Sequence, residues 1–138
     1  MDTWGDEFAP SFRSRSDMAV TIEHVRRLTA GLPRSYEVVV HGRVKFRVGQ
    51  IVYLAFSRDE TLLGFAFPKE EREAALETYP QKFVRPRPSD LRYQWLVVRL
   101  DAIDEGELRE LVLDAWRMVV PKKLAALSDD ELGQLGAS

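Results

Sequence analysis

Apolar and polar positions alternate through VKFRVGQIVYLAFSRDETLLGFAF, from Val44 to Phe67, and this alternation predicts two successive β-hairpins. Gly49-Gln50 and Arg58-Asp59-Glu60 are the short polar interruptions that would form the turns. Pairing Val48 with Ile51 and Ser57 with Thr61 collects Val44, Phe46, Val48, Ile51, Tyr53, Ala55, Leu63, Phe65 and Phe67 on a core face. Arg43, Lys45, Arg47, Val52, Leu54, Phe56, Leu62, Gly64 and Ala66 fall on the other face. A one-residue slip would bury the charged set, so charge fixes the register.

Around this segment the spacing of Ile22, Val25, Leu28 and Leu32 predicts a helix over 17–32, capped by Asp17 or Thr21 and stopped by Gly31 and Pro33. Ser35 to His41 reads as the beginning of the first strand, interrupted by a bulge or bend at Gly42. A short acidic helix should follow Pro68 and end at Tyr79-Pro80. Gln81 to Val84 suggests a brief fourth strand, Arg85-Pro86-Arg87-Pro88 an extended loop, and Tyr93 to Leu100 a central fifth strand, apolar on both faces. From Asp104 to Val120 the apolar positions Leu108, Leu111, Val112, Ala115, Trp116, Val119 and Val120 trace a helical stripe, with Asp104 and Glu107 as a capping box and Pro121 as the break. Ser128 and Glu131 have the spacing to cap one more turn.

The fold class predicted is α+β: a two-layer sandwich of a five-stranded antiparallel sheet with helices on one face, in the order α-β-β-β-α-β-β-α. Residues 1–16 read as a flexible N-terminal tail, 17–127 as a single domain and 128–138 as a C-terminal tail. Without cysteine, disulfides and thiolate metal sites are excluded. The first twenty residues lack an apolar leader and no apolar run is long enough to span a bilayer, so a soluble cytoplasmic protein with no membrane partner is expected.

The net charge of −2 argues against a general polyanion binder, but its distribution is uneven. Arg34 to Arg58 holds five basic residues and one acidic, and Gln81 to Leu100 again five and one. Asp59 to Pro80 holds six acids and two bases, and Asp101 to Asp114 six and one. Strand-like segments are basic and helix-like segments acidic.

The order of elements, with HGRVKFRVGQIVYLAF, YQWLVVRLDA and AWRMVVPKKL, resembles the MmcQ/YjbR family of small bacterial proteins, over about Met18 to Leu127. Phe46, Val48, Trp95, Trp116, Pro121, Lys122 and Leu124 match its pattern. The resemblance implies a two-layered fold like that of secretion chaperones and a role in DNA binding proposed for the family as a "double wing". It supplies no catalytic residues.

Arg43, Lys45 and Arg47 should project from one strand face about 6.6 Å apart, with no acid on the strand opposite. They are either an ordinary solvated row, neutralised by the acidic helices, or a phosphate-tracking strip extended by Lys82, Arg85, Arg87 and Arg92. Phe56, and Tyr93 or Trp95 if outward, would then be stacking surfaces. Val52, Leu54 and Phe56 form a mixed apolar patch among these bases, suited to a protein partner, a second copy of the chain or the N-terminal tail.

Two histidines, His24 and His41, are too few for a transition-metal site without several carboxylates, so no metal and no cofactor are predicted. Glu70-Glu71 and Asp129-Asp130 read as solvated helix ends. No nucleophile elbow, Walker loop or dinucleotide fingerprint occurs. Three functions follow in order of support: a non-enzymatic module binding nucleic-acid backbone, a protein-interaction or chaperone-like module, and an enzyme acting on an anionic small molecule.

Overall fold

The computed structural model describes residues 20–128 and 130–132. The expected tail at 1–16 and most of the one at 128–138 lie outside these residues. Helix α1 spans Ile22–Ala30, and the strands are β1 Ser35–Val40, β2 Arg43–Val48, β3 Ile51–Phe56 and β4 Leu62–Ala66. After α2, Lys69–Thr78, come β5 Phe83–Val84, β6 Trp95–Arg99, α3 Glu105–Arg117 and a single turn, α4, Lys122–Ala125.

The strands form one antiparallel sheet of six, in the order β1-β2-β3-β4-β6-β5, rather than the five expected. The extra strand arises at His41-Gly42. Both residues have positive φ, 53° and 77°, which is the requirement of a two-residue type I′ hairpin turn. The chain therefore reverses where a bulge was expected, and Val40 pairs with Arg43.

The register of β3 also departs from the alternating expectation. Val48 does pair with Ile51 and Arg47 with Val52, but Phe46 then pairs with Leu54, leaving Tyr53 as an inserted residue. The next turn holds four residues, since Phe56 pairs with Leu63 and Ser57 bonds to Leu62. Asp59 closes that turn by accepting bonds from the Ser57 hydroxyl and from the Thr61 amide and hydroxyl.

As a result Leu54 and Phe56 turn inward, each 0% exposed, beside Phe46, Leu63, Phe65, Leu96 and Val98. They are core, not the surface patch expected of them. Ala55 moves to the opposite face, level with Lys45 and Gly64, and Ile51 is left 53% exposed.

The apolar stripe of α3 covers the core face, with Leu108, Val112, Ala115 and Trp116 wholly buried. Asp104 caps this helix by accepting from the Glu107 amide at 2.8 Å, and Trp116 Nε1 donates to the Pro33 carbonyl at 2.9 Å. Burial of each such large side chain stabilises the fold by about 1.5 to 3 kcal/mol before chain entropy is subtracted. His24 joins α1 to α3: its Nδ1 accepts from the Thr21 amide at 2.9 Å, which places the proton on Nε2, 2.7 Å from Glu105.

Candidate binding groove on the open sheet face

The face of the sheet turned away from α3 carries Lys45, Ala55, Gly64, Val97 and Val84 in one row across five strands. Arg43 and Arg47 flank Lys45 on the same face, as the alternation of β2 requires. Arg43 Nε donates to the Phe56 carbonyl at 3.0 Å, which holds its guanidinium beside the sheet. Partial burial lowers the pKa of Lys45, and Arg43, Arg47 and Arg87 lower it further; Asp90 acts in the opposite direction. Arg47 Nε is buried and without a hydrogen-bond partner.

The segment after β5 forms the far wall. Arg85-Pro86-Arg87-Pro88 runs extended into a short 3-10 turn over Pro88–Asp90, and Arg87 Nε lies 3.6 Å from Asp90. This wall is anchored from behind by Arg72, a buried residue of α2. Its guanidinium donates to the carbonyls of Leu91 at 2.6 Å, Tyr93 at 3.1 Å and Trp95 at 3.0 Å.

Between sheet and wall lie two adjoining cavities of about 530 and 750 Å³. Both are lined by Arg43, Lys45, Ala55, Arg87, Asp90 and Trp95. The Trp95 ring is seated edgewise on Gly64. A β-carbon there would stand 2.6 to 2.8 Å from Cζ2, Nε1 and Cε2 of the indole. The first cavity continues past Val52 to Ile51 and Met118, which are 53% and 41% exposed.

Of the basic residues singled out in the sequence, the structure gathers Arg43, Lys45, Arg47 and Arg87. Among the described residues no carboxylate forms an ion pair with Arg43, Lys45 or Arg47. The other three candidates do not join a continuous strip. Lys82 reaches the α3 side, where it pairs with Glu107 and lies over the Tyr79 ring. Arg85 lines the second cavity but is held by Glu73 of α2, which raises its pKa and lowers that of the acid. Arg92 is stacked 4.9 Å from the Tyr93 ring centre and bonds its hydroxyl.

With Phe56 and Leu54 in the core, the aromatic groups at the groove are Trp95 and Tyr93, and of the expected patch only Val52 remains. Arg72 was missed, although it is the lone base between Glu71 and Glu73 and continues the stripe of Ala75 and Leu76. Among the described residues no group of three or more His, Cys, Asp or Glu is placed to hold a metal. No described helix is long and apolar enough to cross a membrane.

An α+β domain with one sheet face filled by helices and the other hollowed into a basic groove defines the class. A family model described as YjbR matches residues 30–118, well over half of the chain, and the chain belongs to this family. Its fold is similar to that of Deinococcus radiodurans protein DR2400, a crystal structure with a DUF419 domain. The TM-score is 0.65 at 21% identity, covering 89% of this chain and 92% of that one. No curated protein matches significantly.

Proposed function

We propose that this YjbR-family chain is a non-enzymatic binding module that takes nucleic-acid phosphate backbone into the groove on its open sheet face. The observation that carries the reading is the convergence of Arg43, Lys45 and Arg87 on the same two cavities, with the first two free of carboxylate partners among the described residues. Cations held half-buried beside a sheet lose little freedom when they meet a phosphate, and such contacts dominate sequence-independent affinity. The DNA-binding role that the resemblance to the MmcQ/YjbR family implies agrees with this reading.

Fluorescence anisotropy of labelled nucleic acid at two salt concentrations tests this. Three phosphate contacts give log K a salt slope of about −3 and a Kd of roughly 10⁻⁴ to 10⁻⁶ M. A signal that stays flat for both duplex and single strand at about 100 μM protein, the weak end of that range, disposes of the reading.

The exposed Ile51 and Met118 beside Val52 favour a second reading, a protein-interaction or chaperone-like module receiving a partner segment or a second copy of the chain. Sedimentation of the chain alone separates self-association from the first reading, and a monomer that captures no protein counts against the second.

A further inference from the structure

We infer that the groove is built for unpaired nucleotides, with Trp95 as the surface on which a base stacks and Arg43, Lys45 and Arg87 as the groups that take the flanking phosphates. This deepens the backbone-binding reading and rests on it.

Three observations point beyond a flat electrostatic contact. First, Trp95 lines both cavities, so a base entering from either one meets this residue. Its seat on Gly64 fixes it there, because the edge carrying Nε1 and Cζ2 occupies the space a side chain would fill. An aromatic ring immobilised beforehand loses little entropy when a base is laid against it. Second, the cations surround the ring. Arg43 and Lys45 come from β2 and Arg87, which pairs with Asp90, from the opposite wall, and all three line both cavities with Trp95, so a strand laid along the groove meets positive charge beside the ring. Third, the groove is recessed, as the partial burial of Lys45 records. In a duplex the faces of the bases are already covered by their neighbours, so Trp95 would gain nothing from it. A single strand offers a free face at every nucleotide.

The test uses the full chain and three labelled probes of equal length: a single strand, its duplex, and a single strand whose bases have been replaced by abasic sites. The inference expects the base-bearing strand to bind at least fivefold more tightly than the other two. It also expects Trp95→Ala to cost the single strand about 5- to 150-fold while leaving the abasic probe unchanged. Trp95→Phe, which keeps a ring, should recover part of the loss. If Trp95→Ala unfolds the chain, the abasic comparison and Trp95→Phe decide alone.

Equal affinity for base-bearing and abasic strands, or a preference for duplex, overturns the stacking role while sparing the backbone reading. Failure of all three probes to bind removes the backbone reading itself. Displacement of the bound strand by an acidic aromatic peptide at equal concentration would transfer the groove to a protein partner and overturn the inference.

Discussion

Arg72 Nη1, on α2, donates to the carbonyl of Trp95 at 3.0 Å, tying an acidic helix to the first residue of β6. The same guanidinium reaches Tyr93 and Leu91, so one buried cation holds the whole segment on which the far wall of the groove is built. Replacing it with methionine keeps much of its volume and leaves three carbonyls without their donor. A loss of about 2 to 4 kcal/mol follows, since each bond comes from a charged group in a shielded place. The urea midpoint reads this directly. Arg72→Lys should rescue only part of it, because an ammonium cannot reproduce the planar fork.

Charge removal on the open face should separate into two classes. Arg43→Gln and Lys45→Gln each reduce the steepness of the salt dependence of nucleic-acid binding by about one. Lys82→Gln and Arg85→Gln leave it nearly unchanged, because those cations are already engaged with Glu107 and Glu73. Anisotropy titrations over a salt series measure both. Equal effects in the two classes would mean that the groove does not set the contact.

Gly64→Ala should cost about 1 to 3 kcal/mol by overpacking, because the new methyl would stand 2.6 Å from the Trp95 ring. The methyl would push the ring off its seat on Gly64, so the same variant should weaken single-strand binding as well. Chemical denaturation and anisotropy together check the pair of effects.

Tyr53 is wholly buried at the β3 bulge, bonded to the Ser35 hydroxyl at 2.5 Å, and burial pushes its pKa up to about 12. In the unfolded chain it would ionise near 10. Its contribution is therefore fully present below pH 10 and is lost as the pH rises from 10 towards 12, where the unfolded state sheds a proton that the folded state keeps. The loss amounts to about 2 to 3 kcal/mol. Urea unfolding of wild type and Tyr53→Phe at pH 8 and pH 11.5 tests this, and the variant should show the shallower decline.

Much of this fold can be read from alternation and capping alone. Phe46, Val48, Leu63 and Phe65 point to the core as expected, and Thr21 and Asp104 start their helices. The β3 assignments failed for a local reason. A bulge at Tyr53 adds a residue between Arg47 and Phe46 of the partner strand, and a turn one residue longer than assumed then restores agreement at β4. Binary patterning could not locate that insertion, because Val52, Tyr53, Leu54, Ala55 and Phe56 are all apolar and fit either register. The hairpin at His41-Gly42 was hidden because a histidine takes the positive φ that glycine or asparagine usually supplies.

The site was legible in its cations on β2 but not in its boundaries. Whether Lys82 and Arg85 stay available depends on Glu107 and Glu73, each at least twelve residues away in sequence. No short-range pattern encodes those meetings.

Along β2, consecutive residues serve unrelated ends: Phe46 and Val48 help to keep the interior closed, while Lys45 and Arg47 meet whatever approaches from outside. Evolution can therefore repaint the exterior of this scaffold, swapping its charge or making it greasy, without disturbing the packing beneath. Kinship with another protein of the same skeleton consequently says little about which guest that protein's surface welcomes.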